Sequence, residues 1–138
     1  MKRVAIIGAG SWGTALAVMA ARAGHEVRLW SRRPEIVSSI NKDHVNSRYL
    51  VSAQIPPSVV ATSELPTCLK NAELVVFAAP SHAARELLTT IVPHLAESAI
   101  VVSVSKGIET ETGKRISEIA KEAGITTHPF VCLSGPSF

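Results

Sequence analysis

The sequence predicts a doubly wound, mostly parallel α/β sheet with helices on both faces, which is a three-layer α/β/α architecture. Short runs of apolar and β-branched residues alternate with segments of helical periodicity along the chain. The runs are apolar at nearly every position, a pattern typical of strands buried on both faces of a parallel sheet. A cluster of glycines follows the first run, where such folds turn from strand to helix.

Each element of the first half is predicted from its own local signal. The elements are a strand over 4–7, a helix after the glycine cluster that ends at Gly24, a strand over 27–30, a helix from Pro34 to about Asp43, and a strand over 59–61. The polar segment 44–57, which ends in prolines, is predicted to be irregular.

The second half continues the alternation. Its elements are a short helix over 63–70, a strand over 74–78, a helix capped by Ser81 that runs toward Val92 and is closed by Pro93, a strand over 100–104, a helix over 110–123 ended by Gly124, and a strand over 130–133. Six buried strands joined by right-handed crossovers predict the strand order 3-2-1-4-5-6.

The composition fits one globular domain over residues 1–138. Of the 138 residues, 46% are hydrophobic and 18% charged. A chain of this length and composition can form a core without disulfides or a metal. Cys68 and Cys132 belong to no metal-binding or disulfide pattern. We therefore interpret both as small buried side chains in a protein of a reducing compartment.

Charge and hydropathy exclude two classes of partner. Fourteen Lys and Arg against eleven Asp and Glu leave a net charge of +3, and two Trp, one Tyr and three Phe are too few for a base-stacking surface. We expect no nucleic acid as a partner. The stretch after Arg3 is similar to a signal sequence, but glycines interrupt it and its longest apolar run is 15–21, too short to span a membrane. We expect a cytoplasmic protein without a membrane span.

Gly8, Gly10 and Gly13 form the pattern G-x-G-x-x-G between the first strand and the first helix. In Rossmann-like folds this pattern allows a tight turn, a close approach of the backbone to a pyrophosphate and close packing of helix on strand. The N–H groups at the helix start hold phosphate oxygens. The pattern predicts a dinucleotide site, and the alternative is a plain tight turn.

The end of the second strand indicates which dinucleotide. Sites of this kind usually place an acidic residue there to accept the hydroxyls of the adenosine ribose, but Ser31, Arg32 and Arg33 follow the strand instead. Hydroxyl and guanidinium donors suit a 2′-phosphate. We predict NADPH over NADH, against the alternative of two solvated arginines at a helix start.

Three further strand ends carry candidate residues. Small residues in 78–82 let a flat ring approach, Lys106 follows the fifth strand, and Gly135 and Ser137 follow the sixth. Because ligands of open α/β sheets bind at the carboxyl ends of strands, Lys106 would hold a phosphate or polarise a carbonyl, and 134–137 would present donors to an anion. The alternatives are a strand end broken by Pro80 with Ser81 as an N-cap, an exposed lysine and an ordinary turn, and His82 is not predicted to act as a base.

The motifs together are more specific than the glycine pattern alone. They are Gly8-Ala9-Gly10-Ser11-Trp12-Gly13-Thr14-Ala15, Asn46 with Tyr49-Leu50, Pro80-Ser81-His82, Ser105-Lys106-Gly107-Ile108-Glu109 before Thr112-Gly113, and Ser134-Gly135-Pro136-Ser137-Phe138. In this order and spacing the chain closely resembles the N-terminal part of the bacterial NAD(P)-dependent glycerol-3-phosphate dehydrogenases. One departure is Val51, where the family commonly has proline.

The resemblance implies reversible hydride transfer between NADPH, with NADH as the alternative, and dihydroxyacetone phosphate. The product is sn-glycerol 3-phosphate for phospholipid synthesis. The implied site residues are Ser11 and Trp12 on the cofactor, Arg32 and Arg33 at its adenosine end, Tyr49 and Lys106 on the nicotinamide side, and Lys106, Gly135 and Ser137 on the phosphorylated substrate.

The resemblance also implies what this chain lacks. Members of the family continue into a second, helical domain that supplies the proton-transfer lysine and most phosphate-binding groups. Reduction of a ketone needs a proton delivered to the forming alkoxide in a closed cleft. We therefore expect residues 1–138 to bind nucleotide weakly without turnover, and a homodimer of the full-length protein stays open.

Two other functions compete with this interpretation. Other NADP-dependent hydroxyacid or ketopantoate-type dehydrogenases share the glycine turn, although Ser-Lys-Gly and Ser-Gly-Pro-Ser argue against them. A nucleotide-sensing module would use the same fold without catalysis. A plain structural α/β domain would leave the pair Arg32 and Arg33 without an explanation.

Overall fold

The structure, a computed structural model, describes residues 1–105 and 109–133. Its strands are β1 (Arg3–Ile7), β2 (Glu26–Trp30), β3 (Val60–Thr62), β4 (Leu74–Phe77), β5 (Ile100–Ser103) and β6 (Phe130–Cys132). Its helices are α1 (Ser11–Arg22), α2 (Pro34–Asp43), α3 (Leu65–Leu69), α4 (Ala84–Ile91) and α5 (Ile116–Ala123), with short 3₁₀ turns at Ser81–Ala83 and Val92–His94.

The six strands form one parallel sheet in the order β3-β2-β1-β4-β5-β6. This confirms the predicted doubly wound topology. The order reverses at β1, which pairs with β2 on one side and with β4 on the other. Such a reversal leaves a crevice at the carboxyl end of the sheet, because the crossovers on its two sides lead to opposite faces.

Strand β1 is apolar at successive positions because both of its faces are buried. Val4 and Ile6 pack into one buried cluster, whereas Ala5 and Ile7 pack into another. Successive side chains of a strand point to opposite faces, so both faces of β1 are covered. The strand therefore needs apolar residues at every one of these positions.

The helices cover the two faces as a three-layer architecture requires. Helices α1 and α2 bury their apolar stripes, including Ala17 and Ile40, in the cluster that contains Val4 and Ile6. Helices α3, α4 and α5 bury theirs, including Leu88 and Ile119, in the cluster that contains Ala5 and Ile7. Among the described residues, none of these helices is long and apolar enough to cross a membrane.

The predicted helix over 110–123 is wrong in its first part, because α5 begins at Ile116. Gly113 adopts a positive φ of 70° in the preceding turn, a conformation that a right-handed helix does not contain. Arg115 is the N-cap of this helix, and its backbone N–H donates to the Glu118 carboxylate at 3.1 Å. As predicted, the helix ends at Gly124, which is left-handed with φ 113°.

The prediction that Ser81 caps the next helix is also wrong. Ser81 lies in a 3₁₀ turn that Pro80 begins, and the Ala83 N–H donates to the Pro80 carbonyl at 3.0 Å. Helix α4 starts after that turn, with Ala83 as its capping residue. A capping residue lies outside the helical turn that it caps, whereas Ser81 is already part of the 3₁₀ turn.

The last strand is less buried than predicted. Val131 is 45% exposed, and Cys132 is exposed as well, because β6 is the edge strand and pairs with β5. The interpretation of Cys132 as a buried side chain is therefore wrong. Cys68 is fully buried as expected, and burial raises the pKa of its thiol to about 12.

Candidate functional site

The glycine turn lies directly against the end of β4. Gly8 has a φ of 119°, and a Cβ on it would lie 2.9 Å from the Ala78 carbonyl group and the Ala79 nitrogen. Contacts that short do not occur for a real side chain, and a positive φ disfavours one as well. Glycine at position 8 therefore allows the chain to turn from β1 into α1 beside β4.

Gly13 serves the packing of α1 on this turn. A Cβ at this position would lie 2.0 Å from the Gly8 carbonyl oxygen. The first turn of α1 therefore lies on the backbone of Gly8 with no room for a side chain between them. This is the close helix–strand packing that the third glycine of the pattern predicts.

Gly10 differs from the other two glycines. Its φ of −73° is open to any residue, and within the described residues a Cβ here would meet nothing within 4 Å. Neither backbone strain nor a neighbouring protein group therefore explains the glycine. The space stands free in front of the N-terminus of α1, where a bound group would need it.

The N-terminus of α1 suits an anion. The first four N–H groups of a helix have no intrahelical partner, and the helix dipole adds positive potential there. Gly10, the capping residue, has no side chain to accept from them, and the first turn, Ser11 to Thr14, carries no acidic residue. The donors are therefore available to phosphate oxygens.

A cleft of about 410 Å³ opens at this point, at the carboxyl edge of the sheet. Its lining residues come from the glycine turn, the end of β2, the start of α2 and the end of β4: Gly8, Ala9, Gly10, Trp30, Ser31, Arg32, Arg33, Ile36, Tyr49, Ala78, Ala79, Pro80, His82, Ala83 and Leu87. The cleft therefore lies at the reversal of strand order, where open α/β sheets bind their ligands.

The end of β2 presents cations to the cleft. Ser31 is 6% exposed, and its Oγ accepts from the Arg33 N–H at 3.2 Å. Arg32 and Arg33 are exposed, and the Arg33 guanidinium lies 3.8 Å from the Glu35 carboxylate in the first turn of α2. An anionic group in the cleft would meet two guanidinium groups here.

Tyr49 reaches the cleft from the irregular segment between α2 and β3. Its side chain is 42% exposed, while its backbone N–H donates to the Asn46 Oδ1 at 3.1 Å. Asn46 in turn contacts the glycine turn through a hydrogen bond from its Nδ2 to the Ala9 carbonyl, 2.8 Å long. Asn46 thus links Tyr49 to the glycine turn.

The ends of β4 and β5 are tied together by Ser105. Its Oγ donates to the Ala79 carbonyl oxygen at 2.5 Å, and Ala79 lines the cleft. The predicted substrate residues Lys106, Gly135 and Ser137 lie outside the described residues. Ser105 therefore fixes the point from which the chain enters the segment with Lys106.

The described cofactor candidates fall into two groups. Gly8, Gly10, Arg32, Arg33 and Tyr49 line the cleft.

Ser11 and Trp12 are exposed on the first turn of α1 beside the cleft, and Gly13 is buried under that turn. His82, for which no role is predicted, is exposed at the rim. Sequence reasoning missed the apolar contributions of Ile36 and Leu87, which helical periodicity alone assigns to the core.

The glycine turn, the free helix N-terminus and the cleft at the reversal of strand order define a dinucleotide-binding domain of the Rossmann type. The model for the family "NAD-dependent glycerol-3-phosphate dehydrogenase N-terminus" matches residues 3–138. The chain belongs to this family.

Individual relatives support the same assignment. The chain is 42% identical over 134 residues to the glycerol-3-phosphate dehydrogenase [NAD(P)+] of Moorella thermoacetica, covering 97% of this chain and 39% of the relative. It is 44% identical over 138 residues to that of Geobacillus kaustophilus, covering 99% and 40%. The chain thus spans about 40% of the length of these curated relatives.

Solved structures agree on the fold. The glycerol-3-phosphate dehydrogenase of Coxiella burnetii has a TM-score of 0.87 at 31% identity, over 99% of this chain and 42% of that one. A ketopantoate reductase of Ralstonia eutropha has a lower TM-score of 0.75 at 28% identity, over 94% and 40%. The ketopantoate-type alternative therefore shares the fold but is not better supported.

Proposed function

We propose that this chain is the cofactor-binding part of an enzyme that interconverts dihydroxyacetone phosphate and sn-glycerol 3-phosphate with NADPH, NADH being the alternative. One observation carries the proposal. In a chain of this family, Gly10 leaves open space in front of the α1 N-terminus, in the cleft where strand order reverses. A pyrophosphate fits that space and those donors.

The cofactor is held from two sides of the cleft in this proposal. The N–H groups of the first turn of α1, including those of Ser11 and Trp12, bind the pyrophosphate. Arg32 and Arg33 bind the 2′-phosphate at the adenosine end, since the guanidinium fork matches phosphate oxygens. Tyr49, which lines the cleft, contacts the nicotinamide side.

The preference for NADPH follows from the end of β2. A carboxylate there would accept both ribose hydroxyls and would repel a 2′-phosphate. This chain has Ser31 and two arginines instead. A 2′-phosphate would compete with Glu35 for Arg33, and as a doubly charged group with three acceptor oxygens it would bind more strongly.

Substrate contacts are assigned to residues at the ends of β5 and β6. Lys106, Gly135 and Ser137 would hold the phosphorylated substrate, with Lys106 also near the nicotinamide. Support for Lys106 comes from Ser105, whose bond to Ala79 holds the preceding residue beside the cleft. A cation there stabilises negative charge on a carbonyl oxygen or a phosphate.

The bound dinucleotide would supply the hydride, and the residues of this chain would bind and orient the dinucleotide. Proton delivery to the forming alkoxide requires an acid in the closed cleft. In the proposal that acid is a lysine of a C-terminal helical domain. Residues 1–138 alone therefore bind the nucleotide without turnover, and substrate-dependent NADPH oxidation by them at full rate would contradict this.

The remaining parts of the proposal concern the cell. We place the full-length enzyme in the cytoplasm, where its product enters phospholipid synthesis. Its partner is a small phosphorylated molecule rather than a nucleic acid, and a homodimer is left open. Gel filtration of the full-length protein tests for a homodimer, and a nucleic-acid binding assay on the same sample tests the absence of a nucleic-acid partner.

Calorimetric titration of the chain with NADPH and with NADH tests the cofactor site. We expect tighter binding of NADPH and loss of that preference in Arg33→Ala. Arg22→Ala is the matched control, because Arg22 is an exposed arginine in the last turn of α1, outside the cleft. Equal binding of both nucleotides, or an equal loss in both variants, would overturn the NADPH assignment.

A further inference from the structure

Asn46 is a fully buried polar side chain that uses its whole hydrogen-bonding capacity. Its Nδ2 donates to the Ala9 carbonyl oxygen at 2.8 Å and to the Thr14 Oγ1 at 2.9 Å. Its Oδ1 accepts from the N–H groups of Arg48 at 3.2 Å and Tyr49 at 3.1 Å. A primary amide offers two donors and an acceptor with two lone pairs, and all are engaged.

These bonds join two segments that are distant in sequence. Ala9 belongs to the glycine turn and Thr14 to α1, whereas Arg48 and Tyr49 belong to the segment before β3. The Leu50 N–H also donates to the Asn46 carbonyl oxygen at 3.1 Å. One side chain therefore holds the backbone of residues 46–50 against the turn from which the cleft is built.

The bond to Ala9 has a second effect, on the orientation of the next peptide group. In a trans peptide the C=O and the following N–H point in opposite directions. Since the Ala9 carbonyl points at the buried Asn46, the Gly10 N–H points away from it. Asn46 thus fixes the direction of a donor in the turn whose residues line the cleft.

We propose that Asn46 is a positioning residue for the cofactor, which makes the glycine turn and the Tyr49 segment one rigid binding surface. This inference rests on the proposed function, since it concerns the same cleft. Preorganised groups bind more tightly because the ordering cost is met before the ligand arrives. Asn46 itself is buried and does not line the cleft, so it acts through Ala9, Gly10 and Tyr49.

The Asn46→Asp variant separates the two halves of this arrangement. A carboxylate keeps the acceptor for Arg48 and Tyr49 but cannot donate to Ala9 or Thr14, and it places an oxygen against the Ala9 carbonyl oxygen. We expect the Kd for NADPH to rise about tenfold or more, the effect of losing buried hydrogen bonds. Asn46→Ala, which loses both halves, should raise it at least as much.

Asn41→Asp is the matched control for this change. The Asn41 side chain also bridges backbone groups, donating to the Ala61 carbonyl at 2.9 Å and accepting from the Ala61 N–H at 2.8 Å, but it lies outside the cleft lining. Asn41→Asp removes one donated bond, to the Ala61 carbonyl, from an exposed side chain. We expect an unchanged Kd for NADPH, with the thermal midpoints of both variants measured to separate folding from binding.

A double-mutant cycle with Tyr49→Ala tests whether Asn46 acts through Tyr49. If it does, Asn46→Ala, which removes the acceptor for the Tyr49 N–H, raises the Kd by a factor at least about three times smaller in the Tyr49→Ala background than in the wild type. Additive losses mean that Asn46 acts through the Gly10 donor alone, and this overturns the joint surface. Amide hydrogen exchange at Leu50 gives a readout without ligand, and unchanged protection in Asn46→Ala overturns the coupling.

The two proposals fail in different ways. A wild-type chain that does not bind NADPH counts against the proposed function and removes the cofactor role of Asn46 with it. A wild-type chain that binds NADPH, together with equal Kd values for Asn46→Asp and Asn41→Asp, overturns the positioning role alone.

Discussion

The Arg85 guanidinium forms a two-pronged ion pair with the Glu109 carboxylate, with Nε–Oε2 and Nη2–Oε1 distances of 2.9 Å. Arg85 lies on α4, and Glu109 is the first described residue after the segment that contains Lys106. The same guanidinium donates from Nη1 to the Glu122 carboxylate on α5 at 2.9 Å. Arg85 therefore anchors the chain after Lys106 to two helices.

This ion pair predicts a loss of stability in acid that depends on Glu109. The hydrogen bonds from Arg85, and next the one from Thr112, lower the pKa of Glu109 from 4.5 to about 2. A carboxyl whose folded-state pKa is depressed contributes its stabilisation fully above the unfolded value and loses it as the pH falls toward the folded value. The contribution of Glu109 should therefore disappear between about pH 5 and pH 2.

Urea unfolding of the wild type and Glu109→Gln from about pH 7 to about pH 2 measures this contribution. The two free energies of unfolding should differ most at pH 7 and converge in acid. The difference isolates Glu109 from Glu118 and Glu122, whose pKa values are also lowered and which both proteins retain. A difference that is constant across the pH range would show that the ion pair does not stabilise the fold.

The glycines at positions 10 and 13 should respond oppositely to an added methyl group. Gly10→Ala meets open space within the described structure, so the thermal midpoint should change little while the Kd for NADPH rises about tenfold or more, because the methyl group occupies the ligand's space. Gly13→Ala forces a Cβ to within 2.0 Å of the Gly8 carbonyl oxygen. It should lower the free energy of unfolding by about 1–3 kcal/mol or more.

Thermal denaturation and NADPH titration give a thermal midpoint and a Kd for each of the two variants. The interpretation of Gly10 as a ligand-facing position would fail if Gly10→Ala bound NADPH as the wild type does. A stable Gly13→Ala variant would show that α1 can shift on the turn.

The fold and the glycine turn could be predicted from sequence because both follow local patterns. Buried strands such as β1 are apolar at successive positions, and a G-x-G-x-x-G pattern after one of them specifies its own geometry. The start of α5 depends on the backbone conformation of Gly113, and the exposure of Cys132 depends on its place at the sheet edge. Neither leaves a periodic signal.

The role of Asn46 could not be predicted from spacing for the same reason. Its bond to Ala9 joins residues 37 apart, and a single asparagine in an irregular segment most often reads as a turn residue. Local patterns therefore locate the site's backbone, whereas the contacts that hold its parts together are long-range and emerge only in the folded chain.

Removal of Glu35 should strengthen NADPH binding. Its carboxylate lies 3.8 Å from the Arg33 guanidinium at an exposed position, so it competes with a 2′-phosphate for that cation. Exposed ion pairs contribute about 0.2–1 kcal/mol, which predicts a Kd for NADPH about 1.4- to fivefold lower in Glu35→Gln. The Kd for NADH should not change, and added salt should reduce the effect. Equal changes for both nucleotides would place the 2′-phosphate away from Arg33.

The two cysteines should differ in reactivity. Cys132 is exposed, whereas Cys68 is fully buried with its thiol pKa raised to about 12 by desolvation. Because the thiolate is the reactive species, iodoacetamide at pH 8 should alkylate Cys132 quickly and Cys68 only after unfolding. Peptide mass spectrometry of native and urea-unfolded samples, with Cys132→Ser as the control, measures both rates. Rapid labelling of Cys68 in the native chain would mean that the layer between α3 and the sheet opens readily, because Cys68 packs there with Leu65 and Leu69.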